Sequence, residues 1–373
     1  MAKKSKYWDI NPIKKIPAQY RIIYGERSNG KTYGVLLDSI IDAYKNRTQF
    51  AYIRRWPDDI KTRKMQQLFA SIVDNGEIIK HTNGEYNGIK YRFGKFYFIA
   101  TTVDENGTRI EVESEEPFAF TFSISAMEHD KSIAYPRIKR IIFDEFISRV
   151  SYIPDEFSMF MNVLSSLIRD RDDIEIWMMG NTVSKDCPYF REMGLRHVIK
   201  QEPGTIDTYS YTKNGQELLI AVEYTKNLAS KKSDKYFIFD NPKMEMITGG
   251  AWELAIYPHL YEKYKPNQVQ FMFFINYRDT ILQCEVIEGT NGIFIYCHIK
   301  TTPLQENDDD LIYSTESNAN RMHRVDITRP MYPIERKLYQ MIMDDRICFQ
   351  DNEIGEVFND YLKWCRSHQI IRK

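Results

Sequence analysis

The sequence has few of the features that define secreted, metal-binding or membrane-embedded proteins. Its 373 residues include five cysteines, which are scattered and form no CxxC pair. This usage is typical of free thiols in a reducing cytoplasm, and it argues against a disulfide framework or a zinc site. No apolar run approaches the roughly 20 residues needed to span a bilayer. The first residues, MAKKSKYWDINP, have no apolar segment of a signal peptide. We therefore expect an intracellular protein that does not bind a membrane.

The sequence also has no large excess of positive or negative charge. The 51 lysines and arginines nearly balance the 52 acidic residues, which gives a formal net charge of −1. The protein as a whole should not be attracted to nucleic acid, so any DNA or RNA binding must come from local basic loops. A hydrophobic content of 43% and an aromatic content of 14% are typical of a folded globular chain. Its length is sufficient for two domains.

Strand-like apolar runs alternate with helical patterns in the first half of the chain. The predicted strands are YRIIY (20–24), QFAYIR (49–54), IKRIIF (138–143) and IEIWMMG (174–180), with helical patterns at 31–45 and 155–169. This alternation predicts an α/β fold with a mostly parallel sheet and right-handed crossovers. We predict a first domain over residues 1–205, a polar linker or hinge over 206–240, and a smaller C-terminal α/β domain over 241–373.

A stretch between the first predicted strand and helix fits the pattern G-x-x-x-x-G-K-[ST] at every position. It comprises Gly25, Glu26, Arg27, Ser28, Asn29, Gly30, Lys31 and Thr32. In this pattern the glycines let the backbone aim its N–H groups at phosphates, the lysine reaches the β and γ oxygens, and the hydroxyl holds Mg²⁺. The dipole of the following helix adds to the attraction. The stretch therefore predicts a site for ATP and Mg²⁺.

Two further strands end in polar residues that suit the same chemistry. The apolar run at 141–143 is followed by Asp144 and Glu145. An acid at this position orders the Mg²⁺ shell, and a second acid polarises the attacking water. Asn181 follows the next predicted strand, where its amide is placed to contact the γ-phosphate and sense hydrolysis. An ordinary turn is the alternative for Asn181.

Together these segments resemble the DNA-packaging motor ATPases of phi29-type small podophages, which are relatives of the large terminase ATPases. The resembling stretches are YGERSNGKTYG, QFAYIRRW, KSIAYP with IIFDEF, YIPDEFSMFMNVLSSLIRDR and MMGNTVSKDCPYF. They cover most of residues 20–190, whereas the C-terminal third resembles the family only in general layout. The resemblance implies an ASCE-type P-loop ATPase.

The resemblance also implies an assembly and a place of action. It implies a homopentameric ring that docks on the portal of an empty procapsid and threads double-stranded DNA inward at the expense of ATP. A packaging RNA at the docking site stays open. The protein would work in the host cytoplasm and be absent from the mature virion. Three alternatives stay open as well: a terminase that also cuts DNA, another ring translocase or helicase, and a regulator that only binds nucleotide.

The resemblance assigns roles to individual side chains. Lys31 and Thr32 would bind phosphates and Mg²⁺, Asp144 would ligate the metal, Glu145 would be the catalytic base, and Asn181 would couple hydrolysis to movement.

Several arginines receive roles with competing explanations. Arg27 would act as a catalytic arginine inside the P-loop, or it is an exposed loop residue. Arg54 and Arg55 could pair with phosphate or with the two acids, or merely end their strand in solvent. Arg169, in the match IRDR, would reach a neighbouring subunit's nucleotide, with Arg171 as a substitute. The alternative for both is a cation that stabilises the end of a helix.

DNA contacts are expected from basic loops. Lys131, in EHDKSIAYP, occupies a loop that faces the central channel in the family. Lys61, Arg63 and Lys64 form a second basic cluster that could line the same channel, although a solvated surface explains them equally well. Contacts to phosphates suit a motor that must move any sequence, because they carry no base information.

The C-terminal region lacks a convincing nuclease pattern. The strand FMFFINYRD has Asn276 where an acid would be expected, with Asp279 at its end and Glu285 and Glu288 farther along. This set is too sparse for a two-metal site. We therefore predict an RNase H-like fold that has lost nuclease activity and docks to capsid, portal or a packaging RNA.

Overall fold

The computed structural model describes most of the chain, which divides into two compact units, Met1–Glu253 and Leu254–Lys373. The described residues are 8–26, 29–129, 133–148, 152–153, 155–181, 187–226, 257–260, 263–278, 280–289, 292–304, 310–316, 320 and 322–371. Among the helices of these ranges, none combines the length and apolar character required to cross a membrane. Each unit is described by itself.

The first unit contains ten strands with helices between them. The strands are β1 (Tyr20–Gly25), β2 (Gln49–Arg54), β3 (Gly88–Arg92), β4 (Lys95–Val103), β5 (Arg109–Glu113), β6 (Ala119–Ser123), β7 (Ile138–Asp144), β8 (Glu175–Asn181), β9 (Thr205–Lys213) and β10 (Gln216–Thr225). The α-helices are α1 (Asn11–Lys14), α2 (Lys31–Asn46), α3 (Thr62–Met65), α4 (Ala70–Asp74), α5 (Glu77–His81), α6 (Glu156–Ile168) and α7 (Pro188–Glu192). Short 3₁₀ helices cover Pro57–Asp59, Ile124–His129 and Arg196–Lys200.

The ten strands form one sheet in the order β3-β4-β6-β2-β7-β8-β1-β10-β9, with β5 paired to β4. The strands from β6 to β10 in this order all run parallel. The edge strands β9, β4, β3 and β5 are joined by antiparallel pairings. The prediction of an α/β fold with a mostly parallel sheet is confirmed.

The central strands are buried on both faces, as parallel strands covered by helices usually are. Successive side chains of β1 enter different cores: Ile22 packs in the core that contains Phe160 and Leu164 of α6. Its neighbour Ile23 packs on the other face, with Val35 of α2. This burial on both faces explains why the sequences of β1, β2 and β7 are continuous apolar runs. Packing on both sides also holds these strands, and therefore the residues at their carboxyl ends, in place.

The prediction of a linker over residues 206–240 is wrong for its first part. Residues 206–213 belong to β9, and β10 extends the sheet by pairing in parallel with the whole of β1. The polar character of β9 misled the interpretation, because an edge strand exposes many of its side chains. The rest of the predicted linker, from residue 227 onward, lies outside the described residues.

The second unit contains a six-stranded mixed sheet in the order β15-β14-β11-β12-β13-β16. The elements are β11 (Val269–Tyr277), β12 (Thr280–Gly289), β13 (Gly292–Ile299), β14 (Leu311–Ser314), β15 (His323–Arg324), α8 (Pro333–Met343), β16 (Ile347–Phe349) and α9 (Asn352–Ile371), after a 3₁₀ turn at Pro266–Gln268. Strands β11, β12 and β13 are antiparallel, whereas β14, β15 and β16 join in parallel. The RNase H-like character of this unit stays a prediction.

Candidate nucleotide site

The P-loop stretch lies between the end of β1 and the start of α2, with glycine at two positions where the backbone requires it. Gly25 ends β1 with φ +150°, and a Cβ at this position would clash with Oγ1 of Thr225 on β10. Gly30 has φ 90° and directly precedes α2, which begins at Lys31. The first N–H groups of a helix have no intrahelical partners, so the start of α2 suits an anion.

Lys31 lies folded into this turn. Its side chain is buried, and the ammonium group is surrounded by oxygens of the loop and of β8. Nζ donates to Gly25 O (3.3 Å), Glu26 O (2.5 Å), Asn29 Oδ1 (3.2 Å) and Asn181 Oδ1 (3.5 Å). The structure therefore brings together Lys31 and Asn181, which lie 150 residues apart.

The environment of Lys31 lowers the pKa of its ammonium group. Burial lowers the pKa of Lys31 to about 8, and the negative charges of Asp144 and Glu26 offset only part of this effect. An anionic phosphate beside the ammonium group would stabilise the charged form. Phosphate binding and protonation of Lys31 are therefore coupled.

Asp144 ends β7 at the same edge of the sheet and is buried. Thr32 Oγ1 donates to its Oδ1 (3.4 Å) and Tyr52 Oη donates to its Oδ2 (2.8 Å). Burial raises the pKa of Asp144, against the opposing effects of the nearby Arg54 charge and the Tyr52 hydrogen bond. A hydroxyl and a carboxylate oxygen at this distance fit the hard oxygen ligands of Mg²⁺, which usually keeps only one or two protein carboxylates.

Glu145 occupies an unusual backbone position directly after Asp144. Its φ is +60°, a left-handed conformation that costs energy in residues other than glycine and that clusters at functional sites. Its side chain is 57% exposed, and Oε2 forms an ion pair with Nη2 of Arg54 at 2.5 Å. Arg54 Nη1 also lies 3.8 Å from Asp144 Oδ2. The predicted base is therefore held by an arginine from the end of β2.

The two arginines that follow each other at the end of β2 have different environments. Arg54 forms ion pairs with both Asp144 and Glu145, which is one of the two roles that the sequence suggested for it. Arg55 is buried and pairs instead with Glu156 of α6, with Nε to Oε2 at 2.7 Å. The interpretation of Arg55 as a solvated strand end is wrong. Arg54 is the last residue of β2, whereas Arg55 lies just beyond the strand.

Strand β10 contributes residues that the sequence interpretation missed. Asn29 donates through Nδ2 to Oγ1 of Thr225 (2.6 Å), so the end of β10 is hydrogen-bonded to the P-loop stretch. Glu223 accepts a hydrogen bond from Nε1 of Trp8 (2.7 Å), and the backbone N–H of Trp8 donates to Asn29 O (2.9 Å). The apolar run in LLIAVEY was the signal for a strand, but nothing local indicated that this strand lies beside the P-loop.

Arg169 and Arg171 lie at the opposite end of α6 from the site. Arg169 is exposed and has φ 52°; its guanidinium donates to Ile133 O at 3.0 Å, and its backbone N–H donates to Ser165 O at 3.0 Å. Arg171 donates to four backbone carbonyls, including Leu167 O at 2.6 Å and Ile138 O at 2.8 Å. Arg171 therefore stabilises the end of the helix, whereas most of the Arg169 guanidinium faces solvent.

The remaining predicted contacts are either exposed or outside the described part. Lys61 and Lys64 are exposed and pair with neighbouring acids, Asp58 at 2.7 Å and Asp59 at 3.0 Å. Arg27, Ser28 and Lys131 lie outside the described residues.

The described acids that were nuclease candidates in the second unit differ in their surroundings. Glu285 is buried on β12 and accepts hydrogen bonds from Tyr264 and Gln283. Glu288 is exposed, and Asp279 lies outside the described residues. Within the described ranges, no three His, Cys, Asp or Glu side chains lie close enough to form a metal site.

Comparison with known families gives a match that lies within the first unit. The family described as "Podovirus DNA encapsidation protein (Gp16)" matches residues 2–207. The DNA packaging protein of Bacillus phage B103 is 28% identical over 219 residues, which cover 54% of this chain and 60% of that protein. The DNA packaging protein of Bacillus phage phi29 is 25% identical over 190 residues, or 50% of each chain. The aligned part thus spans half to three-fifths of these relatives.

Two solved structures share the fold over nearly the whole chain. A chain of the bacteriophage phi29 viral genome packaging motor assembly superposes with a TM-score of 0.55 and 19% identity, and the match covers 95% of this chain and 98% of that chain. A chain of the Phi-28 gp11 DNA packaging motor gives a TM-score of 0.52 with 15% identity, covering 96% of each chain. At these identities the likeness concerns the fold.

Proposed function

Because the chain belongs to the podovirus DNA encapsidation protein (Gp16) family, we propose that it is an ATPase that drives double-stranded DNA into a preformed procapsid. The observation that carries the proposal is a convergence at the carboxyl edge of the parallel sheet. Lys31 and Thr32 after β1, Asp144 at the end of β7 with Glu145 directly after it, and Asn181 at the end of β8 come together there. Ligand sites of α/β sheets lie at this edge. Relatives named as DNA packaging proteins support DNA as the substrate.

The first task of these residues is to hold the triphosphate of ATP. Lys31 leaves the loop carbonyls and binds the β and γ oxygens, and the N–H groups at the start of α2 add their dipole. Thr32 and Asp144 would hold Mg²⁺, which neutralises charge on the phosphates when bound. The hydroxyl and carboxylate already lie within 3.4 Å of each other, so little reorganisation is needed.

The second task is to control the attacking water. Glu145 accepts a proton from this water, which requires that its carboxylate leave the ion pair with Arg54. Asn181 hydrogen-bonds Lys31 and would move with it when the γ-phosphate departs. The Arg54–Glu145 pair thus restrains hydrolysis until nucleotide is in place.

The third task, completing the site, falls to a neighbouring subunit. Helix α6 starts near Glu145 and its 13 residues separate Arg169 from that end by about 20 Å, at roughly 1.5 Å per residue. Arg169 therefore cannot serve its own nucleotide, and its exposure supports a contact across a subunit interface. We propose a pentameric ring at the portal of the procapsid, in the host cytoplasm and absent from the mature virion.

DNA contact and docking complete the proposal. Lys131 contacts DNA phosphates in the channel, assisted by Lys61 and Lys64, whose exposure supports this role. The second unit docks to capsid, portal or a packaging RNA and does not cleave DNA. The engagement of the buried Glu285 by Tyr264 and Gln283, and the exposure of Glu288, support the latter statement.

An ATPase assay with matched variants tests the enzymatic part. Lys31→Ala should abolish hydrolysis. Glu145→Gln should bind ATP and hydrolyse it at least about a hundredfold more slowly, the scale of general-base assistance. Lys45→Ala, at the exposed far end of the same helix, is the control and should retain wild-type activity. Undiminished hydrolysis in Lys31→Ala would overturn the assignment.

A further inference from the structure

A buried arginine connects the turn that carries Glu145 with the start of helix α6. Arg55 directly follows β2 and is 6% exposed. Its guanidinium makes a two-pronged contact with Glu156, with Nε to Oε2 at 2.7 Å and Nη2 to Oε1 at 2.9 Å. The same group donates to two backbone carbonyls, Glu145 O at 3.1 Å and Phe146 O at 2.8 Å. One side chain thus binds both elements.

The turn at residues 145 and 146 needs such support. Glu145 has φ +60°, and strained backbone of this kind persists only where the surroundings determine it. Phe146 N–H donates to Met179 O of β8 at 3.1 Å, which fixes the far side of the turn. Arg55 fixes the near side through the two carbonyl oxygens. The direction of the Glu145 side chain depends on both contacts.

Glu156 is held as firmly as Arg55. It is the first residue of α6 and is 2% exposed. Besides Arg55, its carboxylate accepts hydrogen bonds from Tyr189 Oη at 2.8 Å and from the Ile153 N–H at 2.8 Å. A buried ion pair with all its oxygens satisfied keeps a fixed geometry. Glu156 is therefore a rigid anchor for the guanidinium.

We propose that Arg55 is a positioning residue for hydrolysis: anchored by Glu156, it sets the backbone of Glu145 so that the carboxylate can reach the attacking water. This inference rests on the proposed ATPase function. It assigns Arg55 no contact with nucleotide. Loss of its forked geometry should therefore slow the chemical step and leave nucleotide binding intact.

Lysine in place of Arg55 tests this directly, because an ammonium group keeps the charge but cannot reproduce the planar fork. The matched control is Arg21→Lys. Arg21 lies near the start of β1, at the edge of the same sheet opposite to the carboxyl ends of its parallel strands. Arg21 is also buried, donates to Ile13 O at 3.3 Å and Ile16 O at 2.8 Å, and pairs with Glu175 at 3.1 Å. Both variants replace a buried guanidinium that contacts a carboxylate and two backbone carbonyls, but only Arg55→Lys does so beside Glu145.

The measurements are kcat for ATP, Kd for the fluorescent analogue mant-ATP, and the urea midpoint of unfolding. For Arg55→Lys we expect kcat to fall at least tenfold and Kd to change less than twofold. Arg21→Lys should keep kcat within twofold at a similar loss of stability. A selective loss of kcat distinguishes positioning from a structural role. Equal kcat in the two variants, or parallel losses of kcat and affinity in Arg55→Lys, would overturn the inference.

A second variant covers the case in which Arg55→Lys does not unfold cooperatively. Glu156→Gln keeps the shape of the anchor and removes its charge, so the same selective fall in kcat is expected, and an unchanged kcat overturns the inference. Failure of the proposed function has a different signature: no ATP hydrolysis by the wild type, or full hydrolysis by Lys31→Ala. In that case the role of Arg55 falls with it.

Discussion

Replacement of Glu223 by glutamine should stabilise the protein at alkaline pH. Glu223 on β10 is 8% exposed, and only its Oε1 receives a hydrogen bond, from Trp8. Its Oε2 is buried and has no hydrogen-bond partner in the described part of the chain. Burial raises the pKa of Glu223 to about 7, although the Trp8 bond lowers it. The folded protein therefore holds this proton more tightly than the unfolded chain does.

The sign and size of the effect follow from this difference. A raised pKa in the folded state gives stability that is present below the unfolded pKa and is lost as pH rises through about 7. From a model value of 4.5 to about 7, the full loss is about 3 kcal/mol at roughly 1.4 kcal/mol per pKa unit. Glutamine keeps the acceptor for Trp8 and cannot ionise. We expect Glu223→Gln to gain about 1–3 kcal/mol at pH 8 and less than about 1 kcal/mol at pH 5.

Urea unfolding followed by circular dichroism at pH 5 and pH 8 measures this difference. Glu217→Gln is the control, because Glu217 lies on the same strand but is exposed. The free energy of unfolding of this variant should not gain on that of the wild type between pH 5 and pH 8. An equal gain for Glu223→Gln at both pH values, or no gain at pH 8, would show that the carboxylate ionises at no cost and would refute the reasoning.

Three further outcomes test other parts of the site. Affinity for mant-ATP should fall about tenfold or more between pH 7 and 9.5, because burial lowers the pKa of Lys31 to about 8 and only the ammonium form attracts phosphates; a flat profile speaks against this. Rings that mix Arg169→Ala with Glu145→Gln subunits should recover ATPase activity that neither variant has alone; inactive mixtures under conditions where rings form would remove the role in trans. Lys131→Ala should weaken DNA binding and reduce its salt slope by about 1, with DNA-independent ATPase activity intact; equal loss of both would indicate a structural role.

Local patterns were sufficient for the centre of the site. Asp144 follows a buried parallel strand and Lys31 follows another, and the carboxyl ends of parallel strands meet at one edge of the sheet. The contact between Thr32 and Asp144, 112 residues apart, could therefore be expected from the sequence.

The support around this centre depends on long-range pairing and could not be predicted. Because β10 lies beside β1, Thr225 contacts Asn29, which is 196 residues away in the sequence. No short sequence pattern indicates that Thr225 is the partner of Asn29. The roles of Arg54 and Arg55 depend on long-range contacts: Arg54 reaches Glu145, 91 residues away, and Arg55 reaches Glu156, 101 residues away. The sequence offered both arginines as candidates but could not separate the one that binds Glu145 from the one that supports it.

Protection of DNA by purified procapsids tests the central proposal most directly. Procapsids, double-stranded DNA, ATP and this protein are incubated, and the DNA that survives added nuclease is measured. We predict protection with the wild-type protein and ATP, and none without ATP or with Glu145→Gln. Protection that is equal with Glu145→Gln, or its absence when the wild-type protein hydrolyses ATP and procapsids are intact, would contradict the account.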